Sequence, residues 1–544
     1  MAKGYRRVDR DQAFLLPPSM TDWLPGDHLV WFVIAAVDRI DTTAFHAKAR
    51  LGGTGRRGYD PDMLLTLFIY AMAHGVSSSR QIERLCGTDV AFRIICASDA
   101  PDHTVLARFR RDHETALEDL LTASLLLAAE LGMVRLGTVA FDGTKIAANA
   151  SKDANRGEAH LRKLARQYLG TAAAVDDAED ALFGENARGD ELPEDLTDRT
   201  GRGERIDKAL AEIERRKAAE SEQSEAERSA AAEYVAKAAD PDQKARAGKT
   251  PKAADPVAVA EARWQRERAR AQQRHDAYQV KVAAAANRGH RLPGTATATP
   301  DAHPTVMRLR QDYDQALAAA DQHADTIDRP DTGTSSGSRY RANLTDPDSR
   351  LLKTRNGFIQ GYNCQLGNSE DRFIVYAKAT QDANDVHQFV PTMHGVQDVA
   401  DKLAGHVPDR ADDLTIGTMI GDAGYDSTTN LTAPGPDRLI PSAKHHDLNR
   451  AAATNPASGP PPEDATTRER MDHRLRTEEG HDLYARRAPL AETPNAWLKD
   501  RRGLRRFARR GLSAAQSELS FASAVTNLLR IANLGTTTAQ LTTA

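Results

Sequence analysis

Cysteine is nearly absent: Cys86, Cys96 and Cys364 are the only three in 544 residues. They are too few and too scattered for a disulfide framework or a paired-thiol metal knuckle, and they fit a reducing compartment. Long hydrophobic runs are missing too. The most apolar stretch, Leu120 to Val134, is interrupted by Glu130, is too short to span a bilayer, and reads as a buried helix. The first residues, Met-Ala-Lys-Gly-Tyr-Arg-Arg, lead into polar sequence rather than the apolar core of a signal peptide. A soluble chain of the cytoplasm, without membrane contact, is therefore expected. Nor is there a large excess of one charge, because 73 basic residues meet 77 acidic ones for a net charge of -4. Global balance leaves room for a local strip, however, and Asp500 to Arg510 holds six arginines and one acid. Such a strip suits phosphate binding.

The length exceeds one compact core, so two or three domains are expected. Residues 1–135 read as helical. Asp60-Pro61 offers a cap and a first-turn proline before Met63, Leu64, Leu65, Leu67, Phe68 and Ile69, and Gly75 closes that helix. Asp102-His103-Thr104 precedes a short helix in which Arg108 and Arg110 lie apart from the apolar residues. This pattern suits a helix-turn-helix-like DNA reader, and equally a plain helical bundle with solvated arginines. Residues 152–340 are rich in Ala, Arg, Glu, Gln and Asp and thin in large apolar residues. They read as a helical, partly disordered insertion, ending in a Gly/Ser/Thr/Pro loop over Arg329 to Tyr340. Ordered sequence resumes at Leu344, and residues 446–480 read as a polar, proline-rich loop.

Between these segments lie strands that end in acids. Leu136 to Phe141 is a short apolar strand closed by Asp142, and Leu414 to Gly421 is a second closed by Asp422. Gly361 to Leu366 and Phe373 to Ala377 read as a hairpin, Asp385 to Leu403 as an amphipathic helix, and Leu439 to Pro441 as a further strand. The last helical segment carries Glu492. These acids lie 280 and 70 residues apart, so they meet only if their strands are neighbours. A ribonuclease-H-like fold makes the first and fourth strands neighbours and supplies a third acid from a later helix. Hard divalent ions take oxygen ligands and keep waters. A pair of such ions suits in-line displacement at phosphorus. Each acid taken singly is equally well a turn former or a solvated surface charge.

At these residues the chain resembles the DDE transposases of bacterial insertion sequences. Val139 to Lys145 resembles the first-aspartate strand. Asp346 to Arg350 and Lys353 to Asn363 resemble the stretch before the second strand. Gln381 to Asp385 follows the third strand, and Gly421 to Ser427 resembles the second-aspartate motif. The family's tyrosine, arginine, glutamate and lysine signature is approximated by Tyr484, Arg487, Glu492 and Lys499, with four residues rather than three between the arginine and the glutamate. That extra residue leaves Arg486 and Arg487 as alternatives.

The resemblance implies a mixed α/β fold. Its ribonuclease-H-like core of five strands, in a mixed sheet with flanking helices, is built from residues 136–151, 341–445 and 481–535. A helical insertion (152–340) and a polar loop (446–480) interrupt it, and an all-α DNA-binding domain (1–135) precedes it. It also implies catalysis by Asp142, Asp422 and Glu492 holding two Mg²⁺ ions, with Mn²⁺ as a substitute. DNA would be gripped by Tyr484, Arg487, Lys499, Arg501, Arg502, Arg505, Arg506, Arg108 and Arg110. The implied partners are double-stranded DNA, as terminal inverted repeats and target, and a second copy on paired ends, at the nucleoid. Two alternatives stay open: a chain that only binds DNA, as a repressor does, and a nuclease of the same fold without strand transfer.

Overall fold

The computed structural model describes residues 19–47, 58–158, 160–165, 194–242, 250–251, 253–288, 298–327, 341–354, 357–442, 445–536 and 538–543. The loop expected over Arg329 to Tyr340 lies outside them. Two compact units divide the chain: one of residues 1–156, 192–205 and 342–544, the other of residues 157–191 and 206–341.

Among its described residues the first unit begins, after a 3-10 turn at Met20–Asp22, with the α-helices α1 (Leu29–Arg39), α2 (Thr43–His46), α3 (Pro61–Ala73), α4 (Ser79–Thr88), α5 (Val90–Ile95), α6 (His103–Asp112) and α7 (Glu114–Glu130). Local chemistry sets their ends. The Asp60 carboxylate accepts from the Asp62 N–H at 3.1 Å ahead of Pro61, and Gly75 leaves α3 at φ +72°, a conformation that disfavours a side chain.

The strands follow: β1 (Thr138–Ala147), β2 (Asn155–Gly157), and, after the excursion into the second unit, β3 (Arg341–Asn343), β4 (Arg350–Thr354), β5 (Gly357–Ser369), β6 (Ile374–Thr380), β7 (Thr418–Ile420) and β8 (Asp437–Leu439). The main sheet runs β6–β5–β1–β7–β8, with β4 also pairing β5. β5 and β6 run antiparallel to their neighbours, whereas β7 is parallel to β1 and β8 to β7. This is the ribonuclease-H-like arrangement, in which the first and fourth strands of the core lie side by side. It has six strands rather than the expected five, because Arg350–Thr354 folds back on Gly357–Gly361 as a hairpin arm.

Helix α11 (Phe389–His406) covers one face of the sheet, where Phe389 meets Phe141 edge-on. On the other side of the core, α17 (Leu512–Asn533) is buried along most of its length and packs on α7 and β6. It also closes the free edge of β6. Gln516 accepts from the Ala379 N–H at 2.8 Å and donates to the Ala377 carbonyl at 2.9 Å. Asn527 accepts from the Ile374 N–H at 2.9 Å and donates to the Ile374 carbonyl at 3.0 Å. Eleven helical residues span about 16.5 Å, and five strand residues span about the same, so both amides reach the edge at once. The start of α17 is tied to the Asp346–Arg350 stretch. Buried Asp346 accepts from the Tyr362 hydroxyl at 2.9 Å and from the Gly511 N–H at 3.2 Å, and Asp348 accepts from the Leu512 N–H at 3.0 Å. An acidic side chain at a helix N-terminus also meets the positive end of the helix dipole.

After the short α12 (Thr428–Thr432), residues 446–480, expected as a loop, hold α13 (His445–Thr454), α14 (Thr467–Leu475) and the start of α15 (Glu478–Ala485). The prolines gather in the connection around Pro460 to Pro462. Beyond them Thr466 and Glu469 form a reciprocal capping box that starts α14. Leu448 and Leu475 then pack with Ile420, Leu439 and Tyr484, which the polar composition concealed. The second unit holds α8 (Glu194–Ala239) from residue 206 onward, and α9 (Pro256–Ala286) and α10 (Pro304–Ile327), all long helices. Trp264 stacks on Tyr313 at 5.7 Å between ring centres, with the Arg310 guanidinium 4.6 Å above the Trp264 ring. Among the described residues, no helix is long and apolar enough to cross a membrane.

Candidate active site

Sheet register brings the two aspartates together. Ala140 on β1 and Ile420 on β7 are partners in the parallel ladder, and Asp142 and Asp422 each stand two residues further on. With a side-chain period of two, both carboxylates leave neighbouring strands on the same face. Asp422 remains extended (φ -88°, ψ 177°), and its Oδ1 accepts from the Gly424 N–H at 2.9 Å, which holds the carboxylate at the sheet end.

Helix α16 (Arg487–Ala496) crosses that face, anchored by Leu490 and Ala491 against Ala140. Its first residue, Arg487, reaches between the aspartates: Nη2 lies 3.0 Å from Asp142 Oδ1 and 3.6 Å from Asp422 Oδ2. Arg486 points elsewhere and pairs with Glu370 at 3.3 Å. Asn495 donates to the second Asp142 oxygen at 2.6 Å. Glu492, one turn before Asn495, is exposed and close enough for its charge to act on Asp142. After Ala496 the helix widens into a π turn, Trp497–Arg501, which carries Lys499. Burial lowers the Lys499 ammonium pKa, opposed by the nearby Asp142 carboxylate. Tyr484 is buried under the same region, and its phenol is pushed up to about 12, chiefly by burial.

Burial pushes the Asp142 carboxyl up to about 6. Arg487 opposes the rise, and Asp422, Asp385 and Glu492 add to it. Asp385 is the acid that sequence reasoning missed. It lies beyond β6 and accepts from Asn363 at 2.8 Å and from Gln365 at 2.7 Å, two buried amides that alternate along β5. A Cβ at Gly143 would collide with the Asp385 carboxylate, so the glycine beside Asp142 makes the approach possible. Tyr425 completes the group, its hydroxyl donating to Gln365 at 2.5 Å. The available signal was a pair of amides at period two in an otherwise apolar strand. Asn495, at helical spacing from Glu492, was also legible in principle.

Asp422, Asp385 and Glu492 therefore all act on Asp142, and one partly buried arginine, Arg487, bridges Asp142 and Asp422. The Asn495 and Asn363 side-chain oxygens and the Arg487 Nε are buried without a partner. Oxygen donors, uncompensated negative charge and unpartnered amide oxygens are the chemistry that a hard divalent cation takes. As placed, the acids around Arg487 do not make a triad of oxygens within 4.8 Å. Among the described residues, the groups that do are His46, Asp60 and Asp62, and Glu83, Asp102 and His103.

The remaining expected residues divide between exposed and built-in positions. Arg501 at the end of the π turn and Arg505 and Arg506 beyond it are exposed, as is Arg108 on α6. Arg502 is buried and donates to the Met72 and Ala73 carbonyls that end α3. Arg110 donates to the Ser77 carbonyl at 2.8 Å and Ser79 Oγ at 3.0 Å, and lies over Phe68. Lys145 donates to the Lys353 carbonyl at 2.6 Å. Asp426 pairs with Arg468 at 2.7 Å.

Comparison with known families gives two matches: a transposase domain (DUF772) over residues 18–112, and a transposase DDE domain over residues 461–532. The first spans the helices up to α6, and the second spans α14 to α17, including Glu492. No curated protein and no solved structure matches the chain. The two domain matches, in this order around a ribonuclease-H-like sheet that pairs Asp142 with Asp422, support a DDE-type transposase of insertion sequences.

Proposed function

We propose that the chain binds the terminal inverted repeats of its element, hydrolyses the DNA at their ends, and transfers the freed 3′-hydroxyl into target DNA. The observation that carries this reading is the meeting of Asp142 and Asp422 on adjacent parallel strands, with Glu492 on the helix that crosses them. Asp142, Asp422 and Glu492 would hold two divalent ions of the magnesium kind, which supply Lewis acidity for the attacking and leaving oxygens. Arg487, now between the aspartates, is positioned to turn its guanidinium to a phosphate oxygen once the carboxylates have another counter-ion. Lys499 and Tyr484 flank the same phosphate. Asn495 holds the Asp142 carboxylate in a fixed orientation, as positioning groups do around ligating oxygens. Transposition pairs two ends, so the working form is at least a dimer on DNA.

The test is incubation of purified protein and Mg²⁺ or Mn²⁺ with a labelled duplex carrying the terminal repeat, beside Asp142→Asn and Glu492→Gln. Cleavage at the repeat boundary, lost in both variants, is the expected result. Binding without cleavage by all three proteins would overturn the catalytic reading in favour of a repressor.

A further inference from the structure

The longest strand leads from the acids to a second feature of the first unit. Asp142 faces Leu366 in the β1–β5 ladder, and Ala147 faces Gly361. Beyond that point β5 continues into the hairpin with β4, where Leu351 is 51% and Phe358 is 56% exposed. Phe358 pairs with Lys353, and Leu351 with Gln360. Cross-strand pairing and the period of two put Leu351, Lys353 and Phe358 on one face of the arm. At its foot is an open groove of about 470 Å³, lined by Phe358, Gln360, Lys152, Asp153, Arg506 and Arg510 among others. The arginine segment is fixed there by backbone bonds: Ala147 N–H donates to the Arg505 carbonyl at 3.2 Å, and Phe507 N–H donates to the Ala147 carbonyl at 2.9 Å. Two exposed arginines and a lysine thus stand around an exposed aromatic ring, with Asp153 as the acid of the lining.

We propose that this groove is a second DNA subsite, which takes duplex about five to eight base pairs away from the phosphate that the acids act on. The inference rests on the reading of the acids as a DNA-cutting centre. Five strand residues separate Asp142 from Ala147, about 17 Å, and eight separate Leu366 from Phe358, about 27 Å. At about 3.4 Å per base pair, those lengths give the stated interval. Arg506, Arg510 and Lys152 bind the backbone phosphates. Phe358 packs on the sugars between those phosphates, a contact that carries no sequence information. The charge of the rim selects nucleic acid over a second protein, whose docking surface would leave these cations unpaired.

The test measures the affinity of the full chain for labelled duplexes carrying the terminal repeat, trimmed to three or extended to ten base pairs on either side of the cleavage boundary. Arg506→Ala with Arg510→Ala, and Phe358→Ala alone, are compared with the wild-type chain, after matching melting temperatures show that each is folded. Extension on one side is expected to tighten wild-type binding at least tenfold, and the variants are expected to lose that gain. The double arginine variant is also expected to lower the slope of log affinity against log salt by about 2, near 0.9 per phosphate contact. Unchanged length dependence and slope in the variants would overturn the subsite while leaving the cutting centre intact. A wild-type chain that binds neither duplex would overturn the reading of the acids as well. Loss of self-association by Phe358→Ala, with DNA binding unchanged, would assign the face to a second copy and overturn the proposal.

Discussion

Arg487 stands between Asp142 and Asp422, 3.0 Å from one carboxylate and 3.6 Å from the other, while its neighbour Arg486 pairs with Glu370. The spacing of the chain left these two arginines as alternatives, and their surroundings separate them. Arg487→Ala is expected to lower DNA cleavage by about 100-fold or more, the scale of losing a preorganised cation at a reacting phosphate. Arg486→Ala removes an exposed pair worth at most about 1 kcal/mol, so cleavage is expected to stay within about fivefold. Cleavage rates of the two variants at saturating DNA decide the matter, and equal losses would count against the assignment.

The Asp142 carboxyl, pushed up to about 6 by burial, binds its proton more tightly in the folded chain than in the unfolded one. The sign follows from proton linkage: stability from this group is full below its ordinary value near 3.8 and is lost as pH rises through about 6. Asp142→Asn removes the buried charge, so it is expected to raise the melting temperature at pH 7.5. The gain should shrink towards pH 4. Its ceiling is about 3 kcal/mol, at about 1.4 kcal/mol per pKa unit. A divalent cation competes for the same carboxylate. Added Mg²⁺ should therefore stabilise the wild-type chain above pH 6, with the effect fading below it and absent in Asp142→Asn. Thermal melts across pH, with and without Mg²⁺, check both signs; a wild-type chain indifferent to Mg²⁺ at every pH would sink the metal reading.

Asp385 tests how far the site extends beyond the three expected acids. It accepts from Asn363 and Gln365 and passes over Gly143 beside Asp142. Asp385→Asn removes its charge and turns an amide N–H₂ towards a donor. Positioning groups around ligating residues are typically worth about 10- to 100-fold. Cleavage is expected to fall by that amount, with the apparent Mg²⁺ requirement rising and DNA affinity unchanged. A variant with wild-type cleavage and Mg²⁺ dependence would return Asp385 to a purely structural part.

Much of this was legible in the chain because the signals were local. The apolar runs that lead to Asp142 and Asp422, the hairpin of β5 and β6, and the capped helix after Asp60 all follow from patterns within ten residues. β1 nevertheless runs on to Ala147 instead of ending at Asp142, because Gly143 to Ala147 stay paired with β5. Other features depend on partners far away in sequence. Asp385 is fixed by Asn363 and Gln365, and Arg502, expected on DNA, is instead buried against the end of α3. The prolines around Pro461 hid two helices because capping and the packing of Leu448 and Leu475 outweigh composition. The hairpin arm of β4 went unseen because its outward face carries Leu351 and Phe358, so no clean alternation marks it.

The edge of the sheet gives a prediction about stability alone. Among the described residues β6 has no strand beyond it, and an unpaired edge is open to pairing with other chains. Asn527 satisfies both the N–H and the carbonyl of Ile374 from a fully buried position. Asn527→Leu keeps the volume and removes both partners, and each buried backbone group left unpaired costs about 1–3 kcal/mol. A loss of roughly 2–4 kcal/mol is expected by chemical denaturation, with aggregation at lower temperature. Because Asn527 is remote from Asp142, the folded fraction should keep wild-type cleavage at low temperature. Gln516→Leu should behave alike, because it satisfies Ala379 and Ala377 in the same way. If Asn527→Leu matched the wild-type chain in stability, the edge of β6 would have to be satisfied by water, and α17 would serve only as an apolar cover.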